Sequence, residues 1–490
     1  MHSAITVFLL APLLAQCAPL VKRAGPTQSV ASSSEYTQSP SVAVAYTSST
    51  SEIAFTSTSQ SSVSPTSSLS QTPSVTALEA SATPQPEIIT NPDGSEVIFV
   101  APGTSNDSDS DSDISTQVAR PLVMGYYPYW VSYTFPPEQI DFTKYDWVDF
   151  AFVTLNSTYQ LFFEDSSCPD LLHRMVAAAH AKGKHVKASI GGWGGSQYFS
   201  SAVSTDNNRR FFVQEVIRII NTYNLDGIDF DWEYPGHQGL PGNQVNPADS
   251  SNYLLFLQLL RSSLPRQLKI TAATSQTPFT DATGQPMKDV SAFAQVLDWI
   301  MIMNYDVWQS SPTPGPNAPL YDGCHNSTQP EANAASAVKQ WGQAGFPLKK
   351  QILGVPYYGY VSNSNVTRLR TRASSPSTRL ASDDGADQGS ISFRNLVSQG
   401  ALVASPTTNG RRTFTASNGF SRYWDQCSAT PFLRSQASNQ VVSYDDPESL
   451  RMKGQFAKKM GLLGMNTWDL SGDTPQNDLV IALIDGLSSS

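Results

Sequence analysis

The chain has 490 residues, of which 40% are hydrophobic, enough to bury a large core. Lys and Arg number 31 against 41 Asp and Glu, a net charge of −10, so no broad basic surface for nucleic acid is expected.

The amino terminus reads as a targeting segment. Residues 5–14 form an apolar run too short to span a bilayer, and Ala15-Gln16-Cys17-Ala18 supplies small residues for cleavage, so residues 1–18 are read as a signal peptide and the chain as secreted. Beyond the terminus only His2 supplies charge to the n-region, so a buried segment of the mature fold stays open as an alternative. Lys22-Arg23 offers a second, dibasic processing point. No later stretch is apolar enough for a membrane span.

Residues 19–119 are dominated by Ser, Thr, Pro, Val and Ala, with almost no Lys or Arg. Such a composition buries too little to fold and predicts a disordered linker, or an O-glycosylated stalk. Alternating Asp and Ser at 106–113 lack the Gly and distal Glu of a calcium loop, so that run reads as solvated charge.

From residue 121 the pattern changes. Apolar runs at 123–127, 148–155, 185–193, 227–233, 268–275, 299–306, 351–360 and 461–470 read as strands, and the periods at 170–182, 207–223, 250–264, 331–344 and 447–460 read as helices. Eight strand–helix units predict a closed parallel (β/α)8 TIM barrel over 120–490. That span exceeds the ~250 residues a barrel needs, so long loops are expected. The longest, 361–440 after the seventh strand, is polar and irregular apart from a helix near 393–399.

The fourth strand carries the chemistry. In Asp226-Gly227-Ile228-Asp229-Phe230-Asp231-Trp232-Glu233-Tyr234-Pro235 apolar residues alternate with acids, so Asp229, Asp231 and Glu233 share one face. A merely solvated face would mix Lys or Thr among them. Three acids in a row raise one another's pKa, which suits a tuned general acid at the strand's carboxyl end. The six histidines show no metal-ligand spacing.

This stretch resembles the D-x-x-D-x-D-x-E signature of the glycoside hydrolase family 18 chitinases. Three further marks follow family order: Ser189-Ile190-Gly191-Gly192-Trp193, Met303-Asn304-Tyr305-Asp306 and Met465-Asn466-Thr467-Trp468-Asp469. The resemblance covers about residues 120–487 and implies a TIM barrel with a small α+β insertion after strand 7. It implies that Glu233 protonates the glycosidic oxygen and later activates water. No carboxylate nucleophile is then needed, because the sugar's own N-acetyl carbonyl attacks C1. By the same resemblance Asp231 orients the acetamido group, Asp229 shares its proton, and Tyr126 and Ser189 support Asp229. Tyr305 holds the acetamido carbonyl, Asp306 bonds the distorted sugar, and Trp468 forms the floor beneath it, with Met303 lining the core alongside. Trp130, Trp193 and Trp308 either extend that platform or are buried for their area. Asp226 reads as a structural acid.

Loss of Cys17 with the signal leaves Cys168, Cys324 and Cys427, hence one disulfide and one free thiol. Cys324 and Cys427 follow the neighbouring strands 6 and 7, which favours that pair. Sequons lie at Asn106, Asn156, Asn326 and Asn365. The expectation is a secreted, monomeric family-18 chitinase of fungal type. Its partner is chitin or chitin oligosaccharides, and it needs no cofactor, metal, nucleic acid or membrane. The alternatives are an endo-β-N-acetylglucosaminidase acting on N-glycans and a chitin-binding lectin, which has no use for the acid at Glu233. A structural wall protein would need none of the acids.

Overall fold

Eight short strands rich in Val, Ile and Met, buried on both faces, pair in parallel and close on themselves. They are β1 (Leu122–Pro128), β2 (Trp147–Leu155), β3 (His185–Gly191), β4 (Gly227–Asp231), β5 (Lys269–Thr274), β6 (Trp299–Met303), β7 (Gln351–Pro356) and β8 (Gly464–Trp468). Each pairs with the next, and β8 pairs with β1 to complete the (β/α)8 barrel expected from the sequence. The computed structural model describes residues 87–90, 96–99, 120–364, 369, 389–406 and 410–489. The expected signal peptide at 1–18 and the sequons Asn106 and Asn365 lie outside the described residues.

Alternation along each strand divides the molecule into two apolar layers. In β4, Ile228 and Phe230 point outward, where Phe230 meets Phe212 of the helix Asp206–Tyr223 and Phe256 of the helix Asp249–Ser263 at 6.1 and 5.3 Å between ring centres. The other barrel helices are Cys168–His180, Phe199–Ser204, Ser291–Val296, Ala334–Gln343, Pro447–Lys459 and Asp478–Ser488. Inside the barrel a smaller cluster holds Met124, Tyr126, Trp147, Trp299, Met301 and Ile352, with Met303 and Trp468 against it.

The structure corrects several boundaries. Strand β4 stops at Asp231, so Glu233 lies just past its end. No α-helix follows β1, where two 3-10 turns, Tyr129–Val131 and Pro137–Gln139, carry the chain to β2. The expected strand 351–360 is two strands. After Pro356 the chain leaves the barrel, and Tyr358–Asn363 joins an antiparallel sheet with Ser390–Ser392, Gln440–Ser443, Thr430–Ser435 and Ser421–Asp425. Among the described residues, the loop 361–440 read as irregular therefore carries most of a five-stranded sheet, with the helix Phe393–Ser398. Its strands are three to six residues long and mix Ser, Thr and Arg with apolar residues, too brief for a period of two to stand out. Within the segment read as a disordered linker, Glu87–Thr90 pairs antiparallel with Glu96–Phe99. The Ile and Val of EIIT and EVIF, separated by Asn-Pro-Asp-Gly, carry that hairpin signal.

Among the described residues, barrel closure begins at Leu122, whose N–H donates to Leu463 O at 2.9 Å. A chain beginning at Arg120 is therefore expected to fold and to retain the full chain's activity on soluble oligomers. Insoluble expression of that truncation would place the domain boundary elsewhere.

The structure joins Cys324, after β6, to Cys427 of the insertion, with Cα atoms 5.1 Å apart and a sequence separation of 103. Cys168 is a buried free thiol. Closing so long a loop restricts the unfolded chain, so replacing both Cys324 and Cys427 by Ala should cost about 2–4 kcal/mol. Equilibrium denaturation measures it, and an unchanged midpoint would refute it.

Candidate active site

Strand β4 delivers its acids to the carboxyl end of the barrel, where active sites of this fold are built. Asp229 is held by three hydroxyls: Tyr126 and Ser189 donate to Oδ2 at 2.8 Å each, and Thr271 of β5 donates to Oδ1 at 2.5 Å. Asp231, two residues on, has a buried Oδ1 with no hydrogen bond. Burial, followed by the charges of Glu233, Asp229 and Asp149, pushes its carboxyl well above the usual range. Glu233 is pushed up to about 7 by burial, the Asp306 charge adds to the rise, and a hydrogen bond from Tyr234 opposes it. A carboxylic acid that keeps its proton near neutrality is what general acid catalysis requires.

Two glycines, Gly191 at the end of β3 and Gly192 just past it, let this geometry form. Gly191 has φ +110° and Gly192 has φ +79°, in the left-handed region that favours glycine. A Cβ on Gly191 would lie 2.3 Å from Asp231 O, and one on Gly192 2.7 Å from the Phe152 ring. Ser196 completes the turn by donating to Gly192 O while accepting the Glu233 N–H at 2.9 Å. Gly191→Ala should therefore displace the β4 end and lower kcat/KM on the order of 10²-fold, the usual effect of a 1 Å misplacement. Steady-state kinetics checks it, and wild-type kcat/KM would show that the turn tolerates a side chain.

On the far wall Tyr305 is buried, and burial together with the Asp231 charge raises its phenol well above 10. Asp306 takes φ +58° and its Oδ1 accepts from Tyr358 at 2.5 Å and Tyr360 at 2.7 Å. Both tyrosines come from the first strand of the insertion, which thus braces the site. Asn317 fixes the corner: its Oδ1 accepts the Asp306 N–H at 2.9 Å and its Nδ2 donates to Tyr358 O at 3.1 Å.

The floor is aromatic. Trp468 at the end of β8 stacks on Phe152 at 5.5 Å and lies 5.4 and 6.3 Å from Tyr126 and Trp130. Trp130 and Trp193 are 50% and 48% exposed, so about half of each ring is open to a ligand. Trp308 differs. A Cβ on Gly315 would fall 2.3 Å from its ring, so Trp308 packs on its own loop and the packing reading holds. Met303 is half-buried against the barrel-interior cluster, a lining residue beneath the floor. Asp226 lies at the other end of β4, bonded to His180 and the Val186 N–H at 2.9 and 2.8 Å, a structural acid.

The barrel thus brings together Tyr126, Ser189, Asp229, Asp231, Glu233, Tyr305, Asp306 and Trp468. Sequence reasoning missed Thr271, Ser196, Phe152, Tyr358, Tyr360 and Asn317. Only the tyrosines left a signal, the alternation Tyr358-Gly359-Tyr360. Among the described residues no group of three His, Cys, Asp or Glu side chains is placed to hold a metal, and no helix is long and apolar enough to cross a membrane.

The family model for glycosyl hydrolases family 18 matches residues 122–473, and the chain belongs to that family. A protein of Moniliophthora roreri described as a chitinase-like effector is 36% identical over 378 residues, covering 72% of this chain and 89% of its own. A chitotriosidase of Mus musculus is 31% identical over 69% of each chain. Among solved structures, a chitinase of Rhizomucor miehei superposes with a TM-score of 0.63 at 31% identity, over 74% of this chain and 99% of its own.

Proposed function

We propose that this protein is a secreted chitinase that cleaves β-1,4 bonds between N-acetylglucosamine units with retention, the substrate's acetamido group acting as nucleophile. The observation that carries this reading is Glu233, an acid that burial pushes up to about 7 at the barrel's carboxyl end, beside Asp231, whose carboxyl burial also raises. Glu233 donates its proton to the leaving oxygen. Asp231 accepts the acetamido N–H and balances the positive charge of the oxazolinium intermediate, while Asp229, fixed by Tyr126, Ser189 and Thr271, holds the shared proton. Tyr305 steadies the acetamido carbonyl. Asp306, clamped through Oδ1 by two tyrosines, offers its other oxygen to the sugar, which rests on Trp468. The protein works as a monomer and carries N-glycans at Asn156, in a turn after β2, and at the exposed Asn326.

The chitinase-like effector of Moniliophthora roreri favours a second reading, an oligosaccharide binder that does not cut. Such a protein needs the aromatic floor but not the proton of Glu233. Mass spectrometry of the products from chitin oligomers and from a high-mannose N-glycan, offered in parallel, separates the readings. Chitin fragments support the proposal. Release of the glycan instead assigns an endo-β-N-acetylglucosaminidase, and binding without products assigns the effector.

A further inference from the structure

The barrel sheet stops holding the main chain before it reaches Glu233. The register of β3 with β4 ends at Gly191 and Asp231, and that of β4 with β5 at Phe230 and Ala272, so no strand pairing extends to the acid. Buried N–H and C=O groups need partners, and here two side chains supply them. Ser196, in the loop after β3, accepts the Glu233 N–H through Oγ at 2.9 Å, and Asn243, in the loop after β4, donates from Nδ2 to Glu233 O at 3.1 Å. The second loop also touches that carbonyl at Gly239, where a Cβ would lie 2.1 Å from Glu233 O. Only a residue without a side chain fits there.

The two loops are fastened to one another as well as to the acid. The Gln244 N–H donates to Gln197 O at 3.1 Å, so the adjacent pairs 196–197 and 243–244 each place one residue on Glu233 and one on the opposite loop. Asp249, fully buried at the start of the helix Asp249–Ser263, gathers both ends of the second loop. Its Oδ2 accepts the N–H groups of Gly236 and Asn246 at 3.3 and 2.8 Å, and its Oδ1 accepts the hydroxyl of Ser200, from the helix Phe199–Ser204, at 2.7 Å. Residues 241, 242 and 244–248 are exposed, so this part of the loop adds little to the core. Asn243 alone among them is half-buried, and its side chain is turned onto the acid's carbonyl.

We propose that Ser196, Asn243 and Gly239 are positioning residues that clamp the main chain of Glu233, so that its carboxyl reaches the leaving oxygen. The proposal rests on the hydrolytic reading of the site. General acid catalysis works only within hydrogen-bond reach, and a displacement of about 1 Å can cost on the order of 10²-fold. Opening the clamp from the Asn243 side leaves Asp229 and Asp231 in place on β4. The loss should then fall on proton delivery and spare the attack on C1.

The test compares kcat/KM of the wild type, Asn243→Ala and Gly239→Ala on two soluble substrates. One is a chitin oligomer, whose sugar leaving group must be protonated. The other is a dinitrophenyl β-glycoside of the N-acetylglucosamine dimer, whose phenolate departs without a proton. Because kcat/KM reports the transition state relative to free enzyme and substrate, it reads the bond-breaking step in both. Both variants are expected to lose on the order of 10-fold or more on the oligomer and to stay within about twofold of wild type on the aryl glycoside. Asn243→Ala removes one hydrogen bond, whereas Gly239→Ala presses on the same carbonyl, so either carries the measurement if the other fails to fold. Equal losses on the two substrates would reduce the loop to structural support and overturn the proposal, as would an unchanged rate on the oligomer. A wild type that cuts neither substrate removes the hydrolytic reading and the proposal with it. One that cuts both keeps that reading, whatever the variants do.

Discussion

Glu233→Gln is expected to reduce turnover on chitin oligomers by at least ~10²-fold, the low end of what general acid catalysis contributes, while leaving oligosaccharide affinity close to wild type. The amide keeps the shape of the side chain and loses the proton that the leaving oxygen needs. Wild-type activity should itself decline as pH rises through about 7, where Glu233 gives up that proton. The same substitution carries a stability signature of defined sign. A carboxyl whose pKa is raised on folding binds its proton more tightly in the native state, so its cost is absent below the unfolded pKa of about 4.3 and grows as pH rises to the folded value. Gln has no charge to bury. The variant should therefore melt above the wild type at pH 8 and close to it at pH 4, by an amount set by about 1.4 kcal/mol per pKa unit. Near-normal hydrolysis, or a stability difference that does not grow with pH, would remove Glu233 from its assigned role.

A chitosan sugar deacetylated at the cleavage position should resist cutting on its reducing side, because glucosamine has no carbonyl to attack C1. This follows from the role proposed for Asp231, which holds the acetamido group by a hydrogen bond and leaves the attack on C1 to the substrate's own carbonyl. A thiazoline mimic of the oxazolinium ring should inhibit, since it resembles the intermediate that Asp231 and Tyr305 surround. Asp231→Asn should slow turnover on the order of 10²-fold or more with the fold intact, as it removes charge stabilisation at constant volume. Sequencing the cleavage sites in partially acetylated chitosan decides the matter. Frequent cuts after glucosamine would mean that a protein carboxylate attacks the sugar.

Two periodicities made much of this architecture legible. The barrel showed because eight apolar runs are interleaved with helical periods, and the acid row because Ile228, Phe230 and Trp232 alternate with the acids along and just past β4. The insertion stayed hidden for a physical reason. Its strands gain their stability from pairing with segments distant in the sequence, as Tyr360 does with Ser443, and a local pattern carries no trace of that. Thr271, Asn317 and Ser196 escaped for a similar reason. A single hydroxyl or amide in a strand or loop looks alike whether it meets water or a buried carboxylate, and only the closed barrel brings Thr271 within reach of Asp229. Lys187 and Asp149 lie in apolar runs where a charge reads as an interruption, yet strand register sets them side by side.

The aromatic floor spans a seam. Trp130 follows the first barrel strand, Phe152 belongs to the second and Trp468 ends the last, so the rings that would carry a sugar straddle the place where residues more than three hundred positions apart in sequence are zipped together. In a closed sheet this joint is the one whose two strands do not follow one another along the chain. A sugar chain lying across these rings would act as a clasp, binding the zipped state and not the opened one. Its occupancy should then slow amide exchange first in the strands flanking the joint, before it protects the far side of the ring of strands.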